Sequence, residues 1–140
     1  MLNLTTAAYF ADKKAILASG RVTVSITAYN PRRLPYNLDA QVKDLAPARV
    51  LLSAYRDGQV DDKEFDERYL AHLNMVGVDR IRDRLELIVE SMGHDELVLL
   101  CYEDVSKGEG CHRRTFAEWW EKQTGQAIPE LAATTVQLTL

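Results

Sequence analysis

Four consecutive residues, Cys111-His112-Arg113-Arg114, place a thiol, an imidazole and two guanidinium groups side by side. Just upstream, Leu97-Val98-Leu99-Leu100-Cys101 is an apolar run long enough for a buried strand, followed by Tyr102, Glu103 and Asp104. The stretch from Glu96 to Thr124 therefore reads as strand, short polar loop and helix, the unit that puts reactive groups at the edge of an α/β sheet. A thiol at a helix N-terminus beside arginines has its thiolate stabilised by unpaired N–H groups and positive charge. On that basis Cys111 is a candidate nucleophile, and Glu103 and His112 are candidate acid/base groups. Two plainer readings stand beside this. Cys101 serves equally well as a small buried residue, and His112 as a helix N-terminal residue bonded to Glu103.

A second constellation is cationic. Arg32-Arg33 follows one expected strand and Arg113-Arg114 follows another. In an open α/β sheet, loops after strands share one edge, where ligands bind. Guanidinium groups converging there beside a helix N-terminus suit a phosphate or carboxylate. The ligand-binding candidates are thus Arg32, Arg33, Cys101, Arg113 and Arg114. At least one arginine of each pair is expected to point into solvent or to pair with an acid such as Asp44 or Glu118. The Gly108-Glu109-Gly110 turn is too short and too acidic for a phosphate-binding P-loop. A zinc site would have to use Cys101, Cys111, His112 and His94, a spacing that matches no standard zinc module. No metal and no cofactor is therefore expected.

These groups need a scaffold, and the chain supplies a consistent one. Residues 2–9 have the threonines and tyrosine of a first strand. Residues 11–20 are polar, end in Gly20, and read as a loop or short turn. Arg21 to Thr27 alternates strictly, with Val22, Val24 and Ile26 on one face and Thr23, Ser25 and Thr27 on the other. Pro31 and Pro35 then impose an irregular loop that carries Tyr29, Arg32, Arg33 and Tyr36. Three helices follow. The first has Pro47 in its first turn and a stripe of Leu51, Leu52 and Tyr55. The second opens on Asp61 and Glu64, which resemble a capping box. The third runs from about Val78 to Met92, with Val78, Ile81, Leu85, Ile88 and Met92 on one stripe. The last helix spans about His112 to Gln123, with Phe116, Trp119 and Trp120 as core residues. Ala133 to Leu140 alternates like a closing strand. Strands separated by helices predict an α/β fold: a single Rossmann-like domain over residues 1–140, with a largely parallel sheet and helices on both faces.

The bulk numbers agree. With 140 residues, 46% of them hydrophobic and 27% charged, the chain is large enough for a real core and ordinary for a globular protein. A net charge of -4 argues against a protein that coats nucleic acid with a broad basic surface. No apolar run approaches the roughly 20 residues that span a bilayer. The N-terminus lacks the basic start and apolar core of a signal peptide. A cytoplasmic location without membrane association is expected, with the two cysteines as free thiols.

Several short segments together are distinctive: Leu45-Ala46-Pro47, Tyr55-Arg56-Asp57-Gly58, Phe65-x-x-Arg68-Tyr69, Leu99-Leu100-Cys101-Tyr102-Glu103 and Cys111-His112-Arg113. In these the chain resembles the bacterial and phage family known as domain of unknown function 488, from about Thr5 to Leu131. The most specific element is the strand ending in Cys-x-Glu followed by Cys-His-Arg. The family's more common arginine-loop pattern stands here as Tyr29-Asn30-Pro31-Arg32-Arg33. The resemblance implies a Rossmann-like domain with the Cys-Glu and Cys-His-Arg groups close together, and no assigned substrate.

The residues themselves favour binding, and in a stronger form processing, of an anionic ligand such as a nucleotide or a nucleic-acid end. One alternative is a non-catalytic module that binds a partner protein. Another is a thiol redox or metal protein using Cys101 and Cys111.

Overall fold

The computed structural model describes residues 2–102 and 112–131. The elements are β1 (Asn3–Ala8), α1 (Lys13–Ser19), β2 (Val22–Ser25), β3 (Ala40–Gln41), a 3-10 turn (Lys43–Leu45), α2 (Arg49–Arg56), α3 (Asp62–Val76), α4 (Val78–Met92), β4 (Glu96–Cys101) and α5 (Arg113–Thr124). The strands form one sheet in the order β1-β4-β2-β3, and every pairing is parallel. The apolar run Leu97–Cys101 is thus an interior strand flanked by β1 and β2, as its lack of alternation requires. Beyond β1, an isolated parallel bridge joins Thr6 to Glu130.

Both faces of the sheet are covered. On the first, Val22, Val24, Leu97, Leu99 and Cys101 meet Tyr69, Leu73, Ile81, Leu85, Phe116, Trp119 and Trp120 from α3, α4 and α5. On the second, Ala7, Val98 and Leu100 meet Ile16 of α1, with Tyr9, Tyr36 and Tyr102 at the edge. A strictly alternating strand is ordinarily half exposed. Here the hydroxyl face of β2 is buried as deeply as its aliphatic face.

Asp61 caps α3 by accepting the Glu64 N–H at 2.8 Å. Gly77, at φ 89°, makes the sharp break between α3 and α4 that a side chain would strain. Two expectations are corrected. Residues 11–20 contain helix α1, built from good helix formers but with only Ile16 buried, too little to leave a periodic stripe. Pro47 precedes the N-cap, Ala48, and so lies just outside the first turn of α2. The expected closing strand, Ala133 to Leu140, lies outside the described residues. No helix among the described residues is long and apolar enough to cross a membrane.

Candidate functional site

The chain leaves β1 into α1 on the second face of the sheet, whereas it leaves the adjacent β4 toward α5 on the first. Neighbouring parallel strands whose connections depart to opposite faces open a crevice at their carboxyl ends, where α/β proteins bind ligands. Tyr9, Tyr102, His112 and the loop after β2 all lie at that edge.

His112 is 3% exposed. Its Nε2 lies 2.6 Å from the Ile26 carbonyl oxygen, which can only accept, so Nε2 carries the proton. Its Nδ1 then faces Cys101 Sγ at 3.7 Å, and its backbone N–H donates to the same sulfur at 3.1 Å. The ring of Tyr69 packs edge-on against the imidazole. Cys101 and His112 thus fasten the start of α5 to both β4 and β2. Cys101 is fully buried.

The two arginine pairs separate. Arg113 is only 13% exposed in its side chain. Its Nε donates to Glu130 Oε1 at 3.0 Å and its Nη1 to the Tyr102 carbonyl at 3.1 Å. Arg114 donates to Thr6 Oγ1 and to the Ile128 carbonyl, both at 2.9 Å. Glu130, the acid both approach, also accepts the Thr6 hydroxyl at 2.7 Å. Arg113 and Arg114 therefore tie residues 128–130 to β1 and to α5. Asp44 instead pairs with Arg80 and Arg84. Arg32 and Arg33 are exposed and have no ion pair among the described residues. Nearby, the Arg49 guanidinium stands 5.0 Å over the ring of Tyr29, which is 45% exposed.

A group of residues not evident from the sequence lies beneath the arginine loop. Tyr9, fully buried, reaches across β4 so that its hydroxyl meets Ser25 Oγ at 2.8 Å and Thr27 Oγ1 at 2.7 Å. Ser25 donates to Asn30 Oδ1 at 2.5 Å, and Thr27 to the Tyr29 carbonyl at 3.0 Å. Tyr102 donates to that same carbonyl at 2.9 Å, and Tyr36 to the Tyr9 carbonyl at 2.7 Å. Burial pushes the Tyr9 phenol up to about 12, despite its bonds to Ser25 and Thr27. The signal in the sequence is the run of hydroxyls on β2. It is weak, because such a face usually meets water.

Glu103, Cys111 and the Gly108–Gly110 turn lie outside the described residues. His94, a would-be zinc ligand, sits at the other end of β4, where its Nδ1 accepts the Glu96 N–H. Among the described residues no cluster could hold a metal ion. A groove of about 340 Å³ between β3 and α4, lined by Val42, Asp44, Arg84 and Leu87 among others, contains none of the site residues.

The sequence profile of DUF488-N3a, described as the active DUF488-N3 subclade, matches residues 11–124. No curated protein and no solved structure matches the chain.

Proposed function

The chain belongs to the DUF488 family, and from the geometry above we propose that it binds an anionic ligand, a nucleotide or a nucleic-acid end, at the carboxyl edge of the sheet. The observation that carries this reading is the distribution of arginine partners. Arg21, Arg68, Arg80, Arg82, Arg84, Arg113 and Arg114 each approach a carboxylate. Arg32, Arg33 and Arg49, gathered around the loop after β2, have no carboxylate partner among the described residues. Guanidinium forks left without an acid suit phosphate oxygens, which they grip two at a time. Arg113 and Arg114 support the site by fixing residues 128–130 against β1 and α5, and the Arg114 side chain stays partly exposed. The imidazole of His112 is engaged on both sides. Its geometry favours binding over acid–base work.

Calorimetry against a panel of mono- and dinucleotides and short oligonucleotides, at two salt concentrations, tests the proposal. Arg32→Ala with Arg33→Ala should weaken the best binder about tenfold or more, the equivalent of 1.4 kcal/mol. Affinity should also fall with added salt. A panel with no binder, or a double variant that binds as well as the parent, would refute it.

A further inference from the structure

We propose that Tyr9 is the positioning residue of the arginine loop: it moors residues 29–36 at both ends without touching the ligand. This rests on the anion-binding reading for its consequence, though not for its mechanism. At the near end, the phenol hydroxyl holds Ser25 and Thr27, which in turn hold Asn30 and the Tyr29 carbonyl. At the far end, the backbone carbonyl of the same residue accepts the Tyr36 hydroxyl. Arg32 and Arg33 lie between the two moorings.

Counting protons shows why the phenol matters. Ser25 gives its only hydroxyl proton to Asn30 Oδ1, and Thr27 gives its own to the Tyr29 carbonyl. The Ser25 and Thr27 oxygens stand 3.2 Å apart with none left to share. The phenol hydroxyl donates to Ser25 and lies 2.7 Å from Thr27 Oγ1, so it bridges the two. Without it, the Thr27 oxygen loses its bridging partner and the Ser25 oxygen keeps only the long contact from the Thr27 N–H at 3.4 Å, which is unfavourable. The repair is local: the Ser25 hydroxyl turns toward Thr27 and releases Asn30, while Tyr102 still holds the Tyr29 carbonyl. Loss of a hydroxyl between strands is thus converted into a loosened loop, while the ring itself still fills its place against Tyr102.

Trypsin reads this directly, because Arg32 and Arg33 are themselves cleavage sites. In the full chain, Tyr9→Phe should speed cleavage after Arg32 and Arg33 at least tenfold, as followed by mass. Cleavage after Arg80, Arg82 and Arg84 within α4 needs that helix to open and should not change. Calorimetry with pyrophosphate and with ADP should show about tenfold weaker binding. Asn30→Ala, which removes the exposed acceptor of the Ser25 hydroxyl and leaves Tyr9 itself in place, should act in the same direction. Equal acceleration at both regions of the chain means general destabilisation and overturns the positioning role. So does unchanged loop cleavage in both variants, or faster loop cleavage with undiminished affinity. Failure of the unmodified protein to bind either probe, or any other anion in the wider panel, overturns the anion-binding reading. The cleavage arm still decides the mooring in that case.

Discussion

Strand β2 has two buried faces that hold the molecule together in different ways. Val22, Val24 and Ile26 join the large apolar cluster beneath α3, α4 and α5. Contacts there are non-directional, and their contribution grows with area removed from water. Thr23, Ser25 and Thr27 are equally buried on the other side, and each is tied by oriented hydrogen bonds. Among the described residues no buried side-chain nitrogen or oxygen lacks a partner. Net gain from such bonds is small, whereas leaving one unmade costs about 1–3 kcal/mol. The apolar face therefore sets how stable the fold is. The hydroxyl face sets where the loop after the strand goes.

The sharpest test of the first half of that comparison is Trp120→Ala. Trp120 is fully buried, and its indole N–H reaches Gln126 Oε1 at 3.0 Å. Its truncation should cost roughly 3–5 kcal/mol, seen as a lower denaturation midpoint. A loss below about 1 kcal/mol would mean that the apolar face does not govern stability.

Alkaline pH addresses the hydroxyl face. The Tyr9 phenol lies near 12 in the folded protein against an ordinary value of 10.0. Below pH 10 it is neutral folded and unfolded alike, so stability is unaffected. Between about pH 10 and 12 the unfolded chain ionises first, and stability falls by roughly 2–3 kcal/mol in all. Tyr9→Phe should remove that part of the alkaline loss, which urea titrations at several pH values will show. An unchanged pH profile would place the phenol in water.

Exchanging the two chemistries comes next in size. Val24→Thr puts a hydroxyl into the apolar cluster and should cost about 1–3 kcal/mol. Thr23→Val removes bonds to the Asn37 carbonyl and to Asp39, yet the Asp39 N–H keeps the Thr23 carbonyl at 3.0 Å. A loss of about 1 kcal/mol is expected. If Thr23→Val proved the worse of the two, the faces would not differ as described.

The same contrast explains what could be read from the sequence. Apolar patterning made β4 and α4 plain, because the stripe Val78, Ile81, Leu85 and Ile88 and the run Leu97 to Cys101 have no other economical reading. Helix α1 was invisible since it buries only Ile16. At the site, Cys101, His112 and Arg113 stood out by residue type, but types do not reveal partners. Glu130, which binds Arg113, and Ile26, whose carbonyl binds His112, are remote in the chain and ordinary in composition. Tyr9, Ser25 and Thr27 were legible only as strand residues, since nothing local says that a hydroxyl face will be covered.

The smallest expected effect on stability separates the two arginine pairs. Arg32 and Arg33 are exposed and unpaired among the described residues, so Arg32→Ala with Arg33→Ala should change stability by no more than about 0.5 kcal/mol. Arg113 differs in every relevant respect. It is mostly buried, bonded to Glu130, and bonded to the Tyr102 carbonyl at the end of β4. Charge-assisted hydrogen bonds of this kind contribute roughly 1.5–3 kcal/mol. Arg113→Ala should fall in the lower part of that range, because Glu130 keeps the Thr6 hydroxyl and a distant Arg114. Arg113→Lys should recover only part of the loss, since an ammonium cannot hold the carboxylate and the carbonyl with one planar fork. Guanidinium chloride midpoints of the four proteins decide the matter. If the loop variant lost as much stability as Arg113→Ala, the loop arginines would be structural, and the division between a fastened wall and an open grip would fail.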